Sequence, residues 1–289
     1  MTTLRDLQDR ITSVEKTKKM TQAMKMVAAS KFKRATNRLD ELTAYSDSLT
    51  RILEKVSSHG LYDDVPALLA PNSSANQLVI AISGDRGLCG GFNTTVIKAV
   101  DTYINQTKDP LNFILIGNKI SAYLKSKNHH IDGTYSNIIE SLSIDTVSSI
   151  MKPIIDQYNQ NEIGRVVVIR QEFQSALSSR LVTEQLLPID MSQFKTQACE
   201  KITGDYLYEP SKQDTLENLV KMYLSFKLYR ALIESSAGEE GARMAAMESA
   251  TSNAGDMIND LNLVYNRTRQ AAITTELTEI VAGAEALVS

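Results

Sequence analysis

The chain has 289 residues, 43% of them apolar and 22% charged, with a net charge of −3. That length can bury a real core in one large domain or two modest ones. So small a net charge excludes a general attraction to nucleic acid or to anionic membranes and leaves strong electrostatics to local patches. Cys89 and Cys199 lie far apart and form neither a CxxC pair nor a zinc-ligand spacing, a usage that fits a reducing compartment. The first residues alternate charged and aliphatic groups, unlike a secretory signal. No stretch approaches the roughly 20 apolar residues of a membrane helix, so a membrane is expected to be reached only through partners.

The first element is a long helix, since no Pro or Gly precedes Gly60. One series of heptad positions runs Leu4, Ile11, Lys18, Lys25, Phe32, Leu39, Ser46, Leu53, and the other Leu7, Val14, Thr21, Ala28, Ala35, Leu42, Leu49, Val56. All but Lys18, Thr21, Lys25 and Ser46 are apolar, which predicts a coiled-coil seam. Lys18, Thr21 and Lys25 are adjacent in the series, so the middle of the helix is expected to use another face or to meet another partner. The same region holds Lys16, Lys18, Lys19, Lys25, Lys31, Lys33, Arg34 and Arg38 with no acidic residue between Lys16 and Arg38. Such a run is ordinarily a solvated helix face. Met20, Met24, Met26 and Val27 are interleaved with it, which points instead to a surface pressed against an acidic protein partner. Nucleic acid is disfavoured because Phe32 is the sole aromatic group for stacking there.

Residues 61–77, with Pro66 and Pro71, read as a linker into an α/β segment over 78–207. Leu78–Ser83, Phe113–Gly117 and Val166–Ile169 are short apolar runs that predict buried parallel strands. Helical stretches near Thr94–Gln106, Lys119–Lys127 and Ile144–Tyr158 separate them, as in right-handed βαβ units. The loop Ser83–Asn93, SGDRGLCGGFN, follows a strand and precedes a helix, where phosphate-binding loops sit. It lacks both the Lys-Ser/Thr ending of a P-loop and the GxGxxG spacing, which favours a tight turn with positive-φ glycines over a nucleotide site. His59, His129 and His130 read as surface residues, and Glu276 and Glu279 share a helix face with no nucleophile or base to complete a site.

A second linker, Tyr208–Gln213, opens the C-terminal coiled-coil helix segment over 208–289. Its seam runs through Leu216, Leu219, Tyr223, Phe226, Ile233, Ala237, Met244, Met247, Ala254, Ile258, Leu261 and Tyr265 to Ala272, and then moves at Thr275 to Leu277, Ile280, Ala284 and Leu287. Gly238, Gly241, Gly255 and Gly283 each cost helix stability by about 1 kcal/mol relative to Ala, and the stretch Gly238-Glu239-Glu240-Gly241 is the expected weak point. At 1.5 Å per residue each long helix would reach roughly 80 to 110 Å, so part of the coil should protrude.

Three blocks carry a family resemblance. They are Ile11–Ala35 (ITSVEKTKKMTQAMKMVAASKFKRA), Asp85–Asn93 (DRGLCGGFN) and Tyr265–Leu287 (YNRTRQAAITTELTEIVAGAEAL). Together with the order helix, α/β segment, helix, they resemble the gamma subunit of the F-type ATP synthase over the whole chain. The resemblance implies an antiparallel coiled coil of the two terminal helices within a ring of alternating alpha and beta subunits, three of each, and a Rossmann-like α/β domain beside the epsilon subunit and the membrane c-ring. It implies a rotor shaft coupling proton flow to ATP synthesis and hydrolysis, with no cofactor, metal or catalytic site of its own; the active sites belong to beta.

By matching position, Met24 and Lys25 face the mobile lobes of beta, and the basic run, Lys18 included, meets an acidic segment there. Arg269 and Gln270 hydrogen-bond a loop of beta, Arg243 and Thr274 take part in coupling, and the loop Asp85, Arg86, Gly87, Leu88 and Gly90 belongs to the rotor's foot. The tail Leu277–Leu287 turns in an apolar sleeve. Where the family has Ser-Glu and small residues before Ala-Arg-Met, this chain has Ala237-Gly238-Glu239-Glu240-Gly241. The absence of a redox-cysteine insertion speaks against the chloroplast form. An initiator Met without a transit peptide suggests the cytoplasmic face of a bacterial inner membrane ahead of the mitochondrial matrix side. A static coiled-coil adaptor with an α/β head for another acidic partner, and a small-molecule enzyme using the glycine loop, remain as alternatives.

Overall fold

The computed structural model describes residues 3–58, 67–175, 178–190, 209 and 211–288. His59, Cys199, residues 61–66 of the first linker, and Tyr208 and Pro210 of the second lie outside them. By contacts the chain forms two compact units: unit 1 holds Met1–Ala28 and Arg243–Ser289, and unit 2 holds Ala29–Ala242. Each unit holds part of both long helices.

Those helices are α1, Leu4–Ser58, and α5, Lys212–Val288. Each begins with reciprocal side-chain capping. Thr3 Oγ1 accepts from the Asp6 amide at 3.2 Å while Asp6 Oδ2 accepts from the Thr3 amide at 3.0 Å. Ser211 Oγ likewise accepts from the Asp214 amide at 3.1 Å and donates to Asp214 Oδ2 at 2.6 Å. These bonds satisfy amides that a helix start leaves orphaned. The Thr3 hydrogen bonds hold the Asp6 carboxyl below its ordinary value.

Unit 2 is built on a five-stranded sheet: β1 Gln77–Ile82, β2 Leu111–Ile116, β3 Ile131–Tyr135, β4 Arg165–Ser175 and β5 Ser178–Leu187, in the order β3-β2-β1-β4-β5. The first four strands are parallel and β5 is antiparallel to β4. Helices α2 Phe92–Gln106, α3 Asn118–Lys125 and α4 Ile144–Asn159 make the connections. The three apolar runs fall on β1, β2 and β4 as expected. β3 and β5 had no such run: IDGTY and SSRLVTEQLL are only partly covered, and one face of an edge strand can stay polar.

Alternation along the central strands sorts the core into two layers. Val79, Ala81, Phe113, Leu115, Val167 and Ile169 pack on α2 and α3 through Val96, Val100, Ile120 and Leu124. Leu78, Ile80, Ile82, Ile114, Val166 and Val168 face α4, the start of α5 and Leu53 of α1. α1 and α5 thus supply the helix layer that a doubly wound sheet needs on its second face. Tyr45 of α1 stacks on Phe226 of α5 at 4.3 Å between centroids.

A buried charge cluster had no signal in the sequence. Arg170 Nη1 donates to Glu234 Oε2 at 2.6 Å, with Glu184 3.5 Å from its Nη2, and Lys227 pairs with Glu184 at 2.8 Å. Arg170 and Glu234 are both buried, which ties β4, β5 and α5 at one point.

Candidate functional site

In unit 1 the residues of α1 that read as a break in the seam remain on it. Leu7 and Ala28 are buried, Ile11, Val14, Thr21 and Lys25 half-buried, and on α5 Met247, Thr251, Ala254, Ile258, Leu261, Tyr265, Thr268 and Ala272 follow in steps of three and four. The helix does not turn another face; its partner changes in kind. Thr251 Oγ1 donates to Thr21 Oγ1 at 2.8 Å, Lys25 pairs with Glu248, and the Lys18 ammonium lies 3.2 Å from where a Gly255 Cβ would sit. Position by position α1 advances as α5 recedes, so the pair is antiparallel. Polar seam positions fix register in a coiled coil at some cost in stability. The sequence signal for this was the cluster of exceptions itself; Glu248 and Thr251, on the other helix, went unread.

Continuing that register, Leu4 comes opposite the stretch near Thr268, and α5 runs on beyond the start of α1. Past Ala272 all described side chains are exposed, including Ile273, Leu277, Ile280 and Val281. The move of the apolar stripe at Thr275 therefore coincides with the end of pairing. Arg269, Ile273, Leu277 and Ile280 follow at helical spacing on one stripe that begins polar and continues apolar. Arg269 and Gln270 are exposed, and Thr274 Oγ1 donates back to the Gln270 carbonyl at 2.9 Å. Arg243 is half-buried.

A second apolar stripe lies on α1 beside the seam. Met20, Met24 and Val27, spaced by four and three, are exposed, with Met26 nearby. Beside it Lys16 and Lys19 point to solvent, while Lys18, also exposed, lies round the helix on the seam side. Lys25 differs from them, since its charge is engaged by Glu248. An apolar stripe rimmed by one sign of charge is the chemistry of a protein-binding surface.

In unit 2 the loop Ser83–Asn93 is a turn tied by side chains. Asp85 Oδ1 accepts from the Asn118 amide at 3.0 Å and Oδ2 from the Asn137 amide at 2.9 Å. Asn93 Oδ1 accepts from the Gly84 amide at 2.8 Å, and its Nδ2 donates to the Arg86 carbonyl at 3.1 Å and to Cys89 Sγ at the same distance. Gly90 has φ 56°, and so does Leu88 nearly, at 61°, with its side chain 62% exposed. Arg86 reaches Glu140 at 3.8 Å, and Lys31 of α1 donates to the same carboxylate at 2.9 Å. The Lys31 hydrogen bond and charge, then Arg86, hold the Glu140 carboxyl below its ordinary value. Gly87 lies near Lys119.

The two described histidines sit apart from the paired carboxylates. His130 pairs with Asp132 at 3.0 Å and His129 tilts against Phe113. Among the described residues no group of three or more His, Cys, Asp or Glu is gathered to hold a metal. α5 is continuous through Gly238–Gly241, where both glycines are buried rather than frayed.

Comparison with known proteins follows the same lines. A family model described as ATP synthase matches residues 3–287. The ATP synthase gamma chain of Chlorobaculum tepidum is 40% identical over 99% of both chains, and that of Halothermothrix orenii 39% identical over 99% of this chain and all of its own. Among solved structures, a chain of the Tetrahymena thermophila mitochondrial ATP synthase central stalk and c-ring aligns with TM-score 0.62 and 26% identity, over 80% of this chain and 99% of that one. A chain of the Euglena gracilis mitochondrial ATP synthase aligns with TM-score 0.66 over 98% of this chain and 94% of its own, at 19% identity, a likeness of fold.

Proposed function

The chain belongs to the ATP synthase gamma chain family, and from that membership we infer how its geometry works in the rotor. It is the central shaft of an F-type ATP synthase, coupling proton flow through the membrane sector to ATP synthesis and hydrolysis. The observation that carries this reading is the match to gamma chains at 40% identity from end to end. Unit 1 adds the physical means, because two stretches of it carry different chemistry. One is basic and methionine-lined, and the other is an apolar stripe left bare by the partner helix. A shaft that presents unlike faces to otherwise equal sites contacts their open and closed forms with different energies. Turning it shifts their nucleotide affinities, since a ligand moves an equilibrium only by its differential affinity for the two states.

On this reading the Met20–Met24–Val27 stripe with its basic rim meets the mobile, acidic lobes of beta. Lys25 acts there as a strut, its charge shared with Glu248, while Lys18, exposed on the seam side, meets the acidic segment. Arg269 and Gln270, exposed where pairing ends, hold a loop of beta by hydrogen bonds; Thr274, one turn on, and Arg243 take part in coupling. Ile273, Leu277, Ile280 and Val281 turn inside an apolar sleeve of the ring, where contacts without direction resist no rotation. Asp85, Arg86, Gly87, Leu88 and Gly90 serve the rotor body as a contact loop for a neighbouring subunit, with Leu88 held outward. The assembly contains three alpha and three beta subunits around one copy of this chain, with epsilon and the c-ring below. No described helix is long and apolar enough to cross a membrane. The chain is a peripheral part of a membrane complex, on the cytoplasmic face of a bacterial inner membrane, in the company of relatives such as that of Chlorobaculum tepidum.

Mixing the chain with alpha and beta subunits tests the reading. A defined complex with one copy per three beta, and ATPase activity that depends on it, are expected. A complex of other stoichiometry, or activity indifferent to the chain, would return the static adaptor.

A further inference from the structure

In an open doubly wound sheet, ligands seat beyond the carboxyl ends of the strands, where successive connections leave for opposite faces. Here that point lies between β1 and β4, because α2 and α3 cover one face and α4 and α5 the other. The glycine loop opens onto it, yet the crevice is filled by the chain itself. A Cβ built on Gly84 would come within 2.6 Å of Glu239 Cδ and Oε1 and 3.0 Å of Oε2. The whole carboxyl group therefore lies against one bare Cα. One position earlier in α5, a Cβ on Gly238 would lie 3.3 Å from Phe92 Cε2 and 3.7 Å from Ser179 Cβ. Gln171 of β4 closes the remaining side, donating from Nε2 to the Phe92 carbonyl at 2.7 Å and accepting from the Ser179 hydroxyl. Ser83, Asn93, Gln171 and Glu239 are all buried.

Most of α5 in this unit rests on the sheet through Leu216, Val220, Leu224, Leu228 and Leu232. Apolar contact of that kind is strong but without direction, and it does not by itself set how far a helix is turned or slid. A carboxylate wedged on a Cα, with a glycine beside it that lets the backbone approach, does set it. We propose that Glu239 is the internal ligand of the β1–α2 loop, seated where this fold would hold an anion, and that it fixes the angular setting of α5 on the sheet so that helix and α/β body turn as one piece. Gly238 is then the part of the departure that admits this contact. The mechanical consequence rests on the shaft reading; the seating of the carboxylate does not.

The test bridges the contact with the double substitution G84C and E239C, in a chain with Cys89 and Cys199 changed to serine, assembled into the whole ATP synthase in inverted membrane vesicles. Cysteine pairs close only when their Cβ atoms come within roughly 3.5–4.5 Å. Oxidation is expected to cross-link most molecules and to leave ATP-driven proton pumping unchanged by later reduction. Failure to cross-link, or pumping that stops on closure and returns with reductant, would overturn the proposal. In single variants E239A is expected to lower protons pumped per ATP hydrolysed by about two-fold or more, and E239Q to keep most of that ratio. Equal ratios in the unsubstituted enzyme, E239Q and E239A also overturn it. If the unsubstituted chain itself neither assembles nor pumps, the shaft reading fails instead.

Discussion

The α/β body of unit 2 and the paired helices of unit 1 use the same apolar residue types to opposite ends. Each residue of β1 is buried, with helices on both sheet faces, and the core closes within the chain. In unit 1 the seam is half-buried and interrupted by Lys18, Thr21 and Lys25, while Met20, Met24, Val27, Ile273, Leu277 and Ile280 face outward. The body is a finished solution to hydrophobic burial. The helix pair leaves large apolar side chains exposed, the chemistry of a surface made to meet another.

The largest expected effect that sharpens this contrast lies in the buried Arg170–Glu234 ion pair of the body. Glu234→Ala removes the nearest and most buried partner of a buried guanidinium and is expected to destabilise the isolated chain by about 3 kcal/mol in urea unfolding, Glu184 remaining beside it. Next comes a matched pair of truncations. Leu115→Ala, in the closed core, is expected to cost about 2–5 kcal/mol, whereas Leu277→Ala should change stability by less than about 0.5 kcal/mol. The second variant should instead weaken assembly with alpha and beta. Similar losses of stability from both would erase the distinction between core and contact.

The smallest effect concerns pH. Glu140, held low by Lys31 and then Arg86, is charged in the folded chain below the pH at which a free glutamate protonates. A depressed carboxyl contributes stability that is fully present above the ordinary glutamate range, roughly pH 4.3, and is lost as pH falls through the lower folded value. Lys31→Ala should therefore lower the melting temperature slightly near neutral pH and not at all in strong acid. A difference that grows on acidification would contradict the ion pair.

Much of this arrangement could be read from the sequence because it is periodic. The heptad positions from Leu4 to Leu53 predicted which α1 residues turn inward, and the three β-branched runs became the three central strands. What escaped reading depends on residues distant in the chain. Arg170 and Glu234 meet only once β4 and α5 are packed, and Lys25 finds Glu248 only once the helices are antiparallel. Gly238-Glu239-Glu240-Gly241 looked like a weak helix because propensity counts the backbone alone. Packing turned one of them, Gly238, into a close approach to Phe92 and Ser179. The family's partner surfaces came from the resemblance, and periodicity added only that Met20, Met24 and Val27 share a stripe.

The account stands most directly on motion. A probe attached to the α/β body of this chain, in a complex whose alpha and beta subunits are fixed to a surface, should turn stepwise in one direction while ATP is hydrolysed. Continued hydrolysis with the probe at rest would mean that the chain is a static adaptor and not a shaft.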